Sequence, residues 1–393
     1  MSRIEMKNAG DSNVTRLKTE KEKQKKVKNS NRIFIVLALL LLVVFFYSIG
    51  LFVIVPEDRK NLAYYAEAVG NKLRNLFEYI FTGVSHAEMR ENVNRYCCIV
   101  LCGASLAVSG AVFQGSFRNI LVSPSILGVQ SGGTLANTLY VFLFVSLQSS
   151  VTSIRFSEIE EMSFFQRNMQ QLFVFTGCVL SLVIVLGVAN LVGRGRAKTT
   201  HIILCGMIFS SLASSAVSLI QYKILVEDTS NERIDVIRRF AMGSFDKVYS
   251  YEHLILLSMF LIPGLIFFLI LSGKFNVMAL GEEQAVSMGL NYKAFKYLVL
   301  IVSSFMTAVI ISSCGQISFV GFIIPQIARR LVGPDYKKML PSCMMIGAIM
   351  MMLVYDLAIL LNQTTAMNLI TTTIGSVMMA YAFLTRRGVS RAD

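Results

Sequence analysis

Long apolar stretches without Asp, Glu, Lys or Arg recur along the chain. A helix needs about 20 apolar residues to cross the roughly 30 Å hydrocarbon layer of a membrane. Six stretches suit one span each, and the third leaves room for an outer loop: residues 33–55, 96–117, 119–154, 168–193, 199–222 and 253–273.

Two longer stretches each predict a pair of spans. Residues 297–328 are 32 in number and carry no charge, and the segment CGQISFVGFIIPQ within them predicts a break. Residues 339–385 carry a single charge, Asp356. The pattern therefore predicts an all-α, polytopic membrane protein with about ten transmembrane helices.

The composition supports this class. The 393 residues are 54% hydrophobic and only 16% charged, and the mean hydropathy is +0.60. A soluble domain carries about a quarter charged residues, so it could not bury this much apolar surface. The chain is therefore predicted to be an integral membrane protein in contact with membrane lipid.

The distribution of basic residues predicts the orientation. Residues 1–32 contain ten Lys and Arg against four Asp and Glu, a net +6 of the chain's +13. Cytoplasmic segments of membrane proteins are enriched in Lys and Arg, so both termini are predicted to be cytoplasmic. We divide the chain into a basic cytoplasmic tail (1–32), a transmembrane domain (33–385) and a second cytoplasmic tail (386–393). The run KTEKEKQKKVK is interpreted as a solvated tail beside the membrane, not as a nucleic-acid site.

Several kinds of chemistry lack their sequence signals. The seven Cys lie within apolar runs without paired CxxC spacing, and the three His are scattered, so neither metal nor any other cofactor is expected. The chain has no nucleophile elbow and no GxxxxGK[ST] phosphate loop. It is therefore not expected to be an enzyme, and any ATP hydrolysis must take place on another chain.

The segment GAVFQGSFRNILVSPSILGVQSGG, residues 110–133, joins the second and third spans. It predicts a cytoplasmic hinge made by Arg118, Asn119, Pro124 and Gly128. Pro lacks a backbone donor and Gly allows close helix approach, so the third span is predicted to begin with irregular backbone. Such backbone is tolerated at membrane depth only where protein covers it or where it lines an aqueous path.

The segment ALGEEQAVSMGL, residues 279–290, predicts a short cytoplasmic helix. Acidic residues favour the first turn of a helix and Gly favours its end. Ala285 and Met288 give this helix an apolar face at a spacing of three. The segment that could seat in a cleft of a partner is formed by Leu280, Gly281, Glu282, Glu283, Ala285, Met288 and Gly289.

With a third segment, GQISFVGFIIPQIARRLVGPDYKKMLP (residues 315–341), these motifs closely resemble permease subunits of the iron-siderophore, haem and cobalamin ABC importers, the FecCD-like family. The resemblance extends from Arg95 to Gly375. It implies a fold like that of the cobalamin-importer permease, with alternating access between two permease subunits. The implied partners are cytoplasmic ABC ATPase subunits, an extracytoplasmic substrate-binding (lipo)protein and a second permease subunit.

The resemblance also implies roles for individual residues. Residues 280–289 would couple to the ATPase, and Arg95 with the nearby Arg90 would dock the binding protein. The implied cytoplasmic gate is Lys198, Thr199 and Thr200, and the implied pathway residues on the fifth span are Leu204, Gly206 and Ser210. Small residues on that span fit either close helix packing or a polar-tolerant wall.

The chain departs from the family pattern at several positions. Gln326 replaces a His, and Thr364, Ala366 and Asn368 replace a Glu, a Pro and a Gly near the outer end of the last two spans. Asp356 corresponds to an acidic residue that the family keeps in its ninth span. A carboxylate inside the membrane is a candidate for a functional site, but Asp356 can equally serve a structural pairing within the helix bundle.

Alternatives remain at this point. The cargo could be siderophore-bound iron, haem or cobalamin, with iron-siderophore the first choice, and the dimer could be homomeric or heteromeric. A secondary transporter driven by ions is the competing class, for which only Asp356 offers a midplane carboxylate. A membrane receptor would leave the segment of residues 280–289 without a purpose.

Overall fold

The structure is a computed structural model that describes residues 32–48, 87–120, 122–145, 168–194, 199–227, 232–246, 248, 250–361, 363–364 and 366–387. Within these residues the chain is helical and contains no strand. The tails predicted at 1–32 and 386–393 lie outside the described residues apart from Arg32, Arg386 and Arg387, and Lys198 also lies outside them.

Thirteen α-helices occur in the described part. They are α1 (Arg32–Ser48), α2 (Ala87–Phe117), α3 (Val129–Tyr140), α4 (Met169–Val192), α5 (Thr199–Glu227), α6 (Glu232–Met242), α7 (Tyr251–Ile270), α8 (Ser272–Ala279), α9 (Glu282–Ser287), α10 (Tyr292–Cys314), α11 (Val320–Val332), α12 (Tyr336–Leu360) and α13 (Met367–Arg387). Each of the ten predicted spans overlaps one of them. By length and composition, α2, α4, α5, α7, α10 and α12 are sufficient to cross a membrane, while α1 and the apolar part of α13 are shorter. The predicted polytopic all-α class is confirmed.

Helix α2 forms the centre of the bundle. It packs against α7, α10, α11 and α12, and most of its apolar side chains are fully buried. Glycine pairs allow the closest contacts: a Cβ placed on Gly110 would lie 1.7 Å from the Gly321 carbonyl oxygen, and one on Gly103 would lie 2.5 Å from that of Gly347. Small residues at such crossings let helix backbones approach, so these positions fix α2 against α11 and α12.

The predicted break lies between α10 and α11. Gly315 and Phe319 both have positive φ, 75° and 67°, and the chain turns back towards the cytoplasmic side. The backbone amides of the break are paired: the Gln316 N–H donates to the Phe240 carbonyl (3.1 Å), and the Ser244 N–H donates to the Cys314 carbonyl (2.8 Å). Irregular backbone is tolerated at membrane depth because protein covers it.

Helix α6 was not predicted. Its sequence, ERIDVIRRFAM, is charged and follows the acidic outer end of α5. It folds because Ile234 and Ile237 are buried in a small cluster with Val141 and Ile224, while Arg238 stays exposed. This amphipathic helix carries Phe240 and Ala241 to the break between α10 and α11.

Candidate functional site

The predicted coupling segment forms helix α9. Gly281 precedes it with φ 113°, and Gly289 follows with φ 84°. The Leu290 N–H donates to the Ala285 carbonyl at 2.9 Å, which is the six-residue bond of a glycine-terminated helix. Glu282 and Glu283 lie exposed in the first turn, where the positive end of the helix dipole stabilises acidic groups.

The apolar face of α9 differs from the prediction. Ala285 is fully buried inside the chain, whereas Leu280, Val286 and Met288 are 49%, 56% and 61% exposed. Ala285 and Met288 therefore do not share a face. The helix ends at Ser287, so the spacing of three does not continue helically to Met288. The exposed apolar surface consists of Leu280, Val286 and Met288.

The hinge lies directly against the coupling segment. Arg118 follows the last residue of α2 and lies in the left-handed region (φ 49°), and its Nη1 lies 2.8 Å from the Cβ position of Gly281. Asn119 is exposed, and its N–H donates to the Gln114 carbonyl at 3.1 Å. Two segments 163 positions apart in the sequence thus meet at the cytoplasmic end of the bundle.

The hinge continues into the pathway helix. Pro124 opens a 3-10 turn (Pro124–Leu127) that Gly128 ends at φ 79°. A Cβ on Gly128 would lie 2.7 Å from the Phe209 ring, and one on Gly206 would lie 2.2 Å from the Ile126 carbonyl oxygen. Gly206 is therefore a packing residue that lets α5 approach the hinge. In the described chain, Leu204 is exposed and Ser210 is half-buried on the same helix.

A buried lysine, not predicted as a site residue, joins these parts. Lys296 lies one turn into α10 and is 8% exposed. Its Nζ donates to Thr199 Oγ1 at 2.8 Å and lies 5.0 Å from the centre of the Phe117 ring. Thr199 begins α5 in the predicted gate, beside Thr200, and Phe117 ends α2 beside Arg118. Charge patterning indicated only a cytoplasmic Lys, because contacts between distant residues are not visible in a single sequence.

A cavity of about 300 Å³ opens between these elements on the cytoplasmic side. Glu282 of α9 and Lys296 of α10 line it together with Asn190 of α4 and Ile202 of α5. The predicted coupling helix α9, the start of α5 and the seventh predicted span (α10) thus border one common space.

At the outer end of α2 the two predicted docking arginines differ. Arg90 is exposed and borders a surface cavity of about 450 Å³ with Glu91, Asn94 and Tyr251. Arg95 is only 9% exposed, and its Nη1 donates to Asn92 Oδ1 at 3.4 Å. Its guanidinium is turned into the bundle, so Arg90 is the one of the two that faces the outside.

Asp356 joins three helices. It is 4% exposed, and it accepts hydrogen bonds from Ser48 Oγ of α1 at 2.5 Å and from Tyr96 Oη of α2 at 2.7 Å. Both donors are themselves fully buried. Buried polar groups in proteins are hydrogen-bonded, and these two bonds to the Asp356 carboxylate hold α1 and α2 against α12.

The residues that depart from the family pattern have partners in the structure. Thr364 Oγ1 donates to Asp246 Oδ2 at 2.9 Å, and Ala366 is buried. Asn368 accepts from the Ser318 N–H at 3.1 Å and donates to the Ala241 carbonyl at 3.0 Å. Gln326 Nε2 donates to the Phe322 carbonyl of its own helix at 3.3 Å.

Comparisons with known proteins agree with this arrangement. Residues 61–385 match the model of the FecCD transport family. The molybdate import system permease protein MolB of Haemophilus influenzae is 35% identical over 262 residues, which cover 66% of this chain and 69% of MolB. The iron-uptake system permease protein FeuB of Bacillus subtilis is 29% identical over 325 residues, which cover 79% of this chain and 88% of FeuB.

A solved structure is similar over nearly the whole chain. It is an ABC transporter of the metal-chelate type in an inward-facing conformation. It has 28% sequence identity and a TM-score of 0.68, and the match covers 90% of this chain and 99% of the other. The apolar helices, the three motifs and these relatives lead to one conclusion: the chain is an integral protein of the cytoplasmic membrane and an ABC importer permease that belongs to the FecCD transport family.

Proposed function

We propose that the chain is the permease subunit that moves an iron-siderophore complex inward by alternating access. ATP hydrolysis takes place on a separate ATPase chain, and an extracytoplasmic binding protein delivers the cargo. The path lies between two permease subunits, either identical or related. The sequence carries no GxxxxGK[ST] phosphate loop, so in this proposal the ATPase chain supplies the energy for transport.

The observation that carries the proposal is the contact chain at the cytoplasmic end. Glu282, Glu283 and the exposed Leu280, Val286 and Met288 present a mixed acidic and apolar surface. Arg118 lies against the start of this segment. Lys296 lies on the next helix, α10, and its hydrogen bond to Thr199 joins α10 to the start of α5. An ATPase that moves α9 therefore moves the hinge and the gate together.

The cargo assignment rests on the named relatives and on the first choice from sequence. FeuB is named for iron uptake, and the structural neighbour for metal chelates. MolB is named for molybdate and has the higher identity, so molybdate is the second candidate. Both cargoes fit the same mechanism, and transport with each probe separates them.

The outer surface supports a docking role for Arg90. Charge pairing across an interface steers the encounter and fixes register more than it supplies affinity, and an exposed guanidinium suits that task. Arg95 is turned inward, so its place is in support of α2. We expect Arg90→Glu to weaken binding-protein docking more than Arg95→Lys does.

The test is uptake by proteoliposomes that contain the permease with its ATPase and binding protein. Glu283→Arg should abolish uptake of a ferric siderophore while the protein still inserts, because the reversed charge opposes the helix dipole and the partner surface. Asp235→Arg is the matched control: it reverses an exposed acidic residue on the outer helix α6, where a surface ion pair is worth little.

Three results would contradict parts of the proposal. Uptake by Glu283→Arg equal to wild type would remove the coupling role. Uptake of molybdate without uptake of the ferric siderophore would show that the cargo is molybdate and not an iron-siderophore complex. Uptake abolished by a protonophore while ATP is maintained would favour an ion-coupled mechanism instead.

A further inference from the structure

Helix α8 lies between α7 and the predicted coupling helix α9, and only Leu280 and Gly281 separate it from α9. The N–H groups of these two residues donate to the Val277 and Met278 carbonyls, both at 3.2 Å. Met278 is fully buried. Because hydrogen-bonded turns connect the two helices, a displacement of α9 is carried into α8.

Asn276 clamps α8 to the first turn of α12. Its Nδ2 donates to Asp335 Oδ1 at 2.6 Å, and its Oδ1 accepts from the Tyr336 N–H at 2.8 Å. Asp335 also caps α12, because the same carboxylate oxygen accepts from the Lys337 N–H at 3.1 Å. Hydrogen bonds to a carboxylate are stronger than those between neutral groups. One side chain of α8 therefore holds the start of α12 by two bonds.

Aromatic packing accompanies the clamp. The rings of Phe275 and Tyr336 are stacked, with 5.6 Å between their centroids and 28° between their planes. Phe275 also contacts Phe295 of α10, at 5.2 Å between ring centroids, and all three rings are buried. A Cβ on Gly115 of α2 would overlap the Tyr336 hydroxyl. The start of α12 is therefore packed against the end of α2 that carries the hinge.

The clamp is separate from the two contacts described above. Arg118 lies against Gly281, and Lys296 joins α10 to α5, whereas Asn276 joins α8 to α12. Close-packed interiors transmit displacements. Helix α9 thus has a route to α12 and α2 that does not pass through α5.

We propose that Asn276 is a positioning residue for coupling: it ties the coupling segment to α12, so that a movement imposed on α9 by the ATPase also shifts the start of α12 against α2. The inference rests on the proposed function and adds a residue and a second route to it. Asn276 lies before the segment of residues 279–290. A single Asn in a short helix belongs to no motif, so the sequence did not indicate it.

The test is the number of ATP molecules hydrolysed per cargo molecule imported, measured in proteoliposomes that contain the permease with its ATPase and binding protein. Ferrichrome and molybdate are the two probes. Asn276→Ala removes both bonds and should raise this ratio about tenfold while ATP hydrolysis continues. Asn291→Ala is the matched control and should keep the wild-type ratio, because this exposed Asn accepts the Ala294 N–H of its own helix at 3.2 Å.

An exchange of the two side chains guards against a folding defect. Asn276→Asp alone places two carboxylates opposite each other and should also raise the ratio, because like charges repel. Adding Asp335→Asn restores an amide opposite a carboxylate, and Asn is as good an N-cap as Asp. The double variant should therefore return to within about threefold of the wild-type ratio.

Two results would overturn the inference. One is an unchanged ratio in Asn276→Ala, including the case in which uptake and ATP hydrolysis fall together, as a purely structural role predicts. The other is a double variant that couples no better than Asn276→Asp alone. If wild-type protein imports neither probe with ATP, the proposed function itself fails and the inference fails with it. An unchanged Asn276→Ala ratio beside an active wild type contradicts the inference alone.

Discussion

At the residue scale, the proposed coupling route places most weight on Lys296. It is buried at the cytoplasmic end and bonds to Thr199 across 97 positions of sequence. Burial of an ammonium group requires a partner, so this contact is made in the described conformation and has to change if α5 moves relative to α10. We propose that this contact acts as a latch between α5, which begins in the predicted gate, and α10, which follows α9.

We expect Lys296→Met to release this latch. A hydrogen bond to a charged group contributes about 1.5–3 kcal/mol, equivalent to a ten- to hundredfold shift between conformations. ATP hydrolysis without binding protein should rise while uptake falls. Lys293→Met is the control, since Lys293 is exposed on the same turn. Equal behaviour of the two variants in an ATPase assay would argue against a latch.

Asp356 provides the residue-scale test of ion coupling. Its two hydroxyl donors come from α1 and α2, an arrangement that explains the carboxylate as a helix contact. Asp356→Asn keeps an acceptor for at least one of these bonds, so uptake should stay within about threefold of wild type. Complete loss of uptake in an Asn variant that is inserted and assembled would instead indicate a proton or ion site.

At the scale of elements, glycine contacts decide how α2 sits in the bundle. We expect Gly110→Ala to prevent normal assembly, because the new methyl group would overlap the Gly321 carbonyl and overpacking costs about 1–3 kcal/mol or more. Gly187→Ala in α4 is the matched control, since nothing lies within 4 Å of its Cβ position. The yield of monodisperse protein in detergent measures both, and equal yields would contradict the close crossing.

The elements also show what a single sequence can predict. Runs without charge located the six helices that are long enough to cross a membrane, together with shorter helices at the other predicted spans. Gly and acidic residues located α9, because solvent and backbone geometry act on each segment separately. Helix α6 was missed since its charged sequence folds only through Ile234 and Ile237 against α3 and α5. The prediction that Ala285 and Met288 share one apolar face of α9 was wrong. The helix has only six residues and ends at Ser287, so the helical spacing does not continue to Met288.

The contacts between distant segments could not be predicted from the sequence. Arg118 with Gly281, Lys296 with Thr199, and Asn368 with Ser318 each join residues far apart along the chain. Periodicity and propensity describe neighbours on one element, whereas these pairs depend on how whole helices pack. The family resemblance implied roles for the first two regions without showing these contacts.

At the scale of the whole molecule, one chain has exposed apolar faces on α5 and an exposed coupling surface on α9. The central claim is that it works only with a second permease and with ATPase chains on its cytoplasmic side. Native mass spectrometry of the tagged protein in mild detergent, with every co-purifying chain identified, tests this claim most directly. We expect two permease chains with two copies of an ATPase, and the masses will distinguish a homodimer from a heterodimer. A lone chain or a homo-oligomer without ATPase, reproduced in several detergents, would contradict the account.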